Sequence, residues 1–102
     1  MMFNLDDPHQ FCEVYDDEVL ICRWTMDRLE RQDGPVWIMN HFFINPSANH
    51  KQVLSEQLNV VQTIAQQSHL LVWPLDPLVI DYFKEHPQFD KIWYHKPAGQ
   101  FD

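Results

Sequence analysis

Nine consecutive residues, Val36-Trp37-Ile38-Met39-Asn40-His41-Phe42-Phe43-Ile44, are apolar but for Asn40 and His41, and the run ends at Asn45-Pro46. A stretch this apolar does not alternate between core and water, so it predicts a central strand covered on both faces. Proline ends it, because it pushes the preceding residue toward extended backbone and offers no ladder donor. Everything else in the chain must supply the cover for this strand.

Helical cover is predicted immediately afterwards. Val53, Leu54, Leu58, Val61, Ile64 and Ala65 recur at three- and four-residue spacing, with Lys51, Glu56, Asn59, Gln62, Thr63 and Gln66 on the other face. One amphipathic helix over 49–67 follows, capped by Ser47 or Asn49. Leu70-Leu71-Val72-Trp73 then reads as a short buried strand closed by Pro74. Asp76 is a natural N-cap and Pro77 a natural first helical residue for a second helix running to Glu85 or His86. Pro87 stops it, and Lys91-Ile92-Trp93-Tyr94-His95 reads as a last strand.

Upstream, two strands are expected on either side of the acidic triplet Asp16-Asp17-Glu18, which reads as a hairpin turn. A second turn is written by Arg31-Gln32-Asp33-Gly34-Pro35, with Gly34 supplying the positive φ. The expected fold is therefore α/β in the α+β sense. It has one mixed, mostly antiparallel sheet with one long and one short helix. At 102 residues and 45% hydrophobic content the chain is expected to form a single domain over 1–102. Acidic N-terminal strands occupy 1–35, a β-α-β-α-β core 36–95 and a frayed tail 96–102.

Composition narrows the function classes. The formal net charge is −8, and residues 1–33 carry nine of the fifteen carboxylates but three of the seven basic residues. That balance excludes nucleic acid and anionic membrane surfaces as expected partners, since both are held by clustered Lys and Arg. Cys12 and Cys22 form no CxxC pair and read as small buried apolar residues rather than a disulfide. The histidines show no HxxxH or HxH spacing, so no metal site is expected. The first ten residues lack the pattern of a signal peptide and no run is long enough to span a bilayer, so a cytoplasmic location is expected.

The stretch 40–93 resembles the small single-domain GNAT-like N-acetyltransferases. The resemblance is carried by Asn40-His41-Phe42-Phe43-Ile44-Asn45-Pro46 and the helix 49–67. Val72-Trp73-Pro74-Leu75-Asp76-Pro77, Tyr82-Phe83-Lys84-Glu85-His86-Pro87 and the strand around Ile92-Trp93 complete it. It implies acetyl-CoA as the cofactor and an amine as the acceptor. His41 falls on the histidine of the family's Asp/Asn-His-Thr strand and would serve as the general base. Asp76 stands where small members often carry a cysteine in a Pro-Leu-Cys-Pro turn. The resemblance places coenzyme A against Ile44, Asn45, Ala48, Asn49, His50, Lys51 and Gln52, with Tyr82 near the cofactor cleft.

Two departures accompany the likeness. The chain has only two glycines, Gly34 and Gly99, and neither falls in the loop that the family makes glycine-rich so that backbone N–H groups can wrap a pyrophosphate. An aspartate at 76 supplies no thiolate chemistry. Two readings follow. One is an acetyl-CoA-dependent N-acetyltransferase. The other is a catalytically degenerate GNAT-fold domain, acting as a binding or regulatory module on a protein partner or as a homodimer. The second predicts an exposed apolar patch or an open sheet edge.

Overall fold

A long second strand organises the sheet. In the computed structural model, which describes residues 4–96, β1 spans His9–Asp16 and β2 Val19–Arg31. They pair antiparallel across the acidic turn, where Asp17 and Glu18 both have positive φ, the backbone that tight hairpins require. Ile21 is an extra residue on β2 between the pairs Val14↔Cys22 and Tyr15↔Leu20. This bulge lets Ile21 pack on the core beside buried Cys22.

β1 occupies one edge of β2. The other edge is shared in succession by β3 (Gly34–Met39) and β4 (Phe42–Ile44), both antiparallel to it. Gly34, at φ +116°, closes the second hairpin as its sequence predicts. The single central strand expected over 36–44 is thus two strands. Between the pairs Asp27↔Ile38 and Trp24↔Phe42, β2 contributes Thr25 and Met26 while the other side contributes Met39, Asn40 and His41. One surplus residue makes a bulge, and a bulge bends its strand and re-aims its side chains.

Helix α1 (His50–Ser68) follows, capped by the Asn49 side chain, which accepts from the Gln52 N–H. Its C-terminus closes on His69 in the left-handed conformation. β5 (Val72–Pro74) then returns parallel to β3, with Trp37, Ile38 and Met39 opposite Val72, Trp73 and Pro74. The sheet order is β1-β2-β3-β5, with β4 beside β2 off that path. Helix α2 (Pro77–Glu85) and a 3-10 helix (Pro87–Ile92) complete the described chain.

The strand expected over Lys91–His95 is replaced by the end of that 3-10 helix and one parallel bridge, Val72↔Trp93. Phe89 and Ile92 stand three residues apart, which in a 3-10 turn puts both on one face, and both are buried. Burial of that pair outweighs the β propensity of the segment. The tail beyond Lys96, with Gly99, lies outside the described residues.

Both helices cover the same face of the sheet. Leu58, Val61, Ile64 and Ala65 of α1 and Val79 and Phe83 of α2 share one core with Cys22, Trp24, Met26, Trp37, Met39 and Phe42. The two largest core residues of the sheet are tied to α1 by their indole N–H groups. Trp24 donates to Gln57 Oε1 and Trp37 to Ser68 Oγ, each at 2.9 Å. Burying a tryptophan requires such a partner, because an unpaired buried N–H is costly. The described residues form a slab 19 Å thick against 43 and 37 Å in the other directions, which suits one sheet and one helical layer. Among the described residues no helix lies on the second face of the sheet, where Val36 is nonetheless buried and Ile38 and Phe43 are half-buried.

Candidate functional site

The bulge and the end of β5 make two segments of the sheet diverge. Pairing of β3 with β5 stops at Met39 and Pro74, after which the Leu75 N–H donates to the Met39 carbonyl at 2.9 Å. Beyond that point β4 stays on β2, while the other chain turns away into α2. Pro74 and Pro77 fit this divergence, since neither offers an N–H to extend the ladder.

His41 and Asp76, 35 positions apart in sequence, meet where these segments part. His41 Nδ1 lies 3.9 Å from Asp76 Oδ2; the imidazole is 77% exposed and the carboxylate 12%. Both carboxylate oxygens are already engaged. Oδ1 accepts from the Leu78 N–H at 2.9 Å, the capping bond of α2. Oδ2 accepts from the Phe42 N–H at 3.0 Å and so ties the first residue of β4 to the start of α2. Asp76 is thus the cap that its position before Pro77 predicts, and it is also a strut between β4 and α2. A depression of about 520 Å³ lies beside His41, lined also by Leu20, Arg23, Trp24, Thr25 and Phe43.

The residues assigned to coenzyme A by resemblance lie in three settings. Ile44 is in the core. Asn45 organises the loop after β4. Its side-chain carbonyl accepts from the Ser47 N–H at 2.9 Å and from Ser47 Oγ at 2.8 Å, and its Nδ2 donates to the Leu20 carbonyl at 3.0 Å. The Ala48 N–H donates to the Asn45 carbonyl, and the Ala48 side chain packs on the core. Asn49 caps α1, whose first-turn residues His50, Lys51 and Gln52 are exposed. The N–H groups of His50 and Lys51 lack intrahelical carbonyls, as at any helix start, whereas that of Gln52 is held by Asn49.

Tyr82 lies in the third setting, on α2. Its ring stacks on His86 with centroids 3.7 Å apart and 12° between planes, and meets Phe89 edge-on at 5.5 Å. His86 Nδ1 lies 2.8 Å from the Tyr82 carbonyl. The Tyr82…His86-Pro87 combination therefore finishes α2 and seats the 3-10 helix, with Pro87 preventing continuation.

A second depression, of about 600 Å³, was not anticipated. Arg31, Asp33, Tyr94 and His95 line it. The Arg31 guanidinium lies 4.6 Å from the Trp73 ring centroid, and its Nε donates to Tyr94 Oη at 3.3 Å. The Tyr94 hydroxyl donates in turn to Asp33 at 3.0 Å. Arg31 and Tyr94 are 63 positions apart, and no local pattern links them. Among the described residues no three His, Cys, Asp or Glu side chains are grouped to hold a metal ion. Cys12 and Cys22 are free thiols. Burial pushes the Cys22 thiol up to about 12, with Cys12 adding to the shift, and burial followed by the Glu13 charge raises Cys12.

No protein-family model, no curated protein and no solved structure matches this chain.

Proposed function

We propose that this chain is a GNAT-like domain that acts as a binding or regulatory module and does not transfer acyl groups. The observation that carries this reading is the Asp76 carboxylate seated on the Phe42 N–H at 3.0 Å. Acyl transfer develops negative charge on a carbonyl oxygen, and catalysis requires free donors preorganised toward it. Here the first donor of β4 is already satisfied, and by a carboxylate that would repel such an oxygen. The loop leading into α1 points the same way. It has no glycine, and the N–H groups of Ser47 and Ala48 are both closed onto Asn45. A net charge of −8 further opposes a strongly anionic cofactor. The exposed aromatic side chains on the helix-free face, Phe11 and Tyr15, are the kind of surface a binding module presents.

One observation favours a second reading, an acetyl-CoA-dependent N-acetyltransferase acting on an amine. His41 is exposed and lies 3.9 Å from a carboxylate that could orient it as a base. Titration with acetyl-CoA, followed by calorimetry and thermal shift at low salt, separates the two. A ligand bound to the folded state stabilises it by about 2.7 kcal/mol at a hundredfold excess over its Kd. The binding-module reading predicts no shift at millimolar acetyl-CoA. A saturable shift, with acetylation of an amine that His41→Ala abolishes while binding persists, overturns it in favour of the transferase.

A further inference from the structure

The face of the sheet opposite the helices carries exposed apolar side chains among ion pairs. Phe11 and Tyr15 of β1 are 60% and 56% exposed and Leu29 of β2 is 37% exposed. On β1 and β2 these residues alternate with Cys12, Val14, Trp24 and Met26, which pack toward the helices, so they belong to the opposite side. Ile38, Phe43 and Trp73, on the same side of their strands, are half-buried.

Charge on this face differs from charge on the chain as a whole. Arg23 pairs with Glu13 at 3.5 Å, His9 Nδ1 lies 2.6 Å from Asp27 Oδ1, and Arg31 stacks on Trp73. The face thus carries Glu13, Asp27 and, linked to Arg31 through Tyr94, Asp33 against Arg23 and Arg31, in a chain whose net charge is −8. Much of the excess acid sits at the two ends of the β1–β2 hairpin, in Asp6 and Asp7 and in Asp16, Asp17 and Glu18. Two copies therefore repel one another over much of their surface but little across this face.

We propose that the open sheet face is the interface of a two-fold symmetric dimer of this chain, two sheets packing face to face. Such packing sets sheets about 10 Å apart and interleaves their side chains. An isologous interface meets its own pattern, so the Glu13–Arg23 pair of one copy falls where an Arg23–Glu13 pair of the other can complement it. At about 3.4 Å per residue and about 4.8 Å per strand, the five strands project on the order of 500 Å², so the contact is a modest one, smaller than the about 800 Å² that one partner contributes to a standard interface.

Pairing through the free edge of β1 is the competing geometry, and charge opposes it. An antiparallel β1–β1 pair places Asp16–Glu18 of each copy against Asp6–Asp7 of the other, twice over, and like charges opposed across strands destabilise.

Sedimentation equilibrium of the full chain tests the proposal. At concentrations on the order of 100 μM, tight enough for a modest interface, the expected mass is twice the 12.3 kDa of one chain. Phe11→Asp and, separately, Tyr15→Asp are expected to raise the dimer dissociation constant at least about tenfold, each with an unchanged circular dichroism spectrum. Both positions are exposed, so the fold tolerates the substitutions. A single-chain mass throughout overturns the proposal, as does a dimer indifferent to both substitutions, which would place the contact at the β1 edge or elsewhere. The depression beside His41 shares Arg23, Thr25 and Phe43 with this face, so a dimer covers it; acetyl-CoA binding and turnover bear on the transferase question, while mass alone bears on this one.

Discussion

The two faces of the sheet are built on the same strands and have opposite fates. Cys22, Trp24 and Met26 alternate along β2 with Arg23, Thr25 and Asp27. The first set is buried beneath α1 and α2, whereas the second faces a surface on which Phe11 and Tyr15 stand exposed. Backbone, strand pairing and local propensity are shared, so they do not make the difference. The helices do. A sheet face becomes a core only where another layer excludes water from it, and in this chain both helices lie on one side. Aromatic side chains on the other side remain available to a partner.

Substitutions can break that contrast. The largest effect is expected from Trp37→Ala, which empties a fully buried site and deprives Ser68 Oγ of its donor. A loss of about 3–5 kcal/mol in urea unfolding is expected. A loss near zero would mean that the helix side is not the core.

Alkaline pH probes the same face. The Cys22 thiol ordinarily ionises near 9.0 and is held up to about 12 in the fold. Between these values the unfolded chain ionises and the folded one does not, so protons leave on unfolding and stability falls as pH rises from 9.0 toward about 12. Cys22→Ala is expected to flatten much of this alkaline limb. Some slope should persist, because Cys12 is shifted in the same direction. Identical limbs in wild type and variant would show that Cys22 is not the group responsible.

Asp76→Ala removes the cap of α2 and the strut to Phe42 together, and about 1–3 kcal/mol of stability should go with them. Asp76→Asn retains an acceptor for the Leu78 N–H and should lose less. If Asp76→Ala is silent in thermal melts, the junction of β4 and α2 does not depend on this residue. The smallest effect belongs to the open face. Phe11→Thr, at a low concentration where the chain is monomeric, should change stability by no more than about 0.5 kcal/mol. A loss comparable to that of Trp37→Ala would abolish the contrast between the faces.

The helix expected over 49–67 forms as His50–Ser68, and the Asp76-Pro77 start of α2 and the Gly34 turn lie where their sequences place them. These are short-range matters: caps, fixed φ angles and a periodicity that a single helix reads along itself. His41 and Asp76 could each be singled out from their surroundings, but their approach to 3.9 Å could not, because it depends on a bulge in one strand and the early end of another. The Phe42–Asp76 bond was hidden for the same reason. So was the Arg31–Tyr94–Asp33 chain, whose members meet only after the sheet and the 3-10 helix have closed on each other.

Local order and the chemistry available thus belong to the sequence alone: a mixed sheet, one long and one short helix, a glycine-free loop, and acid concentrated at the front of the chain. Tertiary structure decided how they combine. It set both helices on one face and broke the apolar run at His41, and it turned the capping carboxylate of Asp76 onto the first amide of β4. Torsional preference and hydrophobic period act over a few residues, whereas burial and a hydrogen bond between residues 34 positions apart exist only once the chain has brought them together.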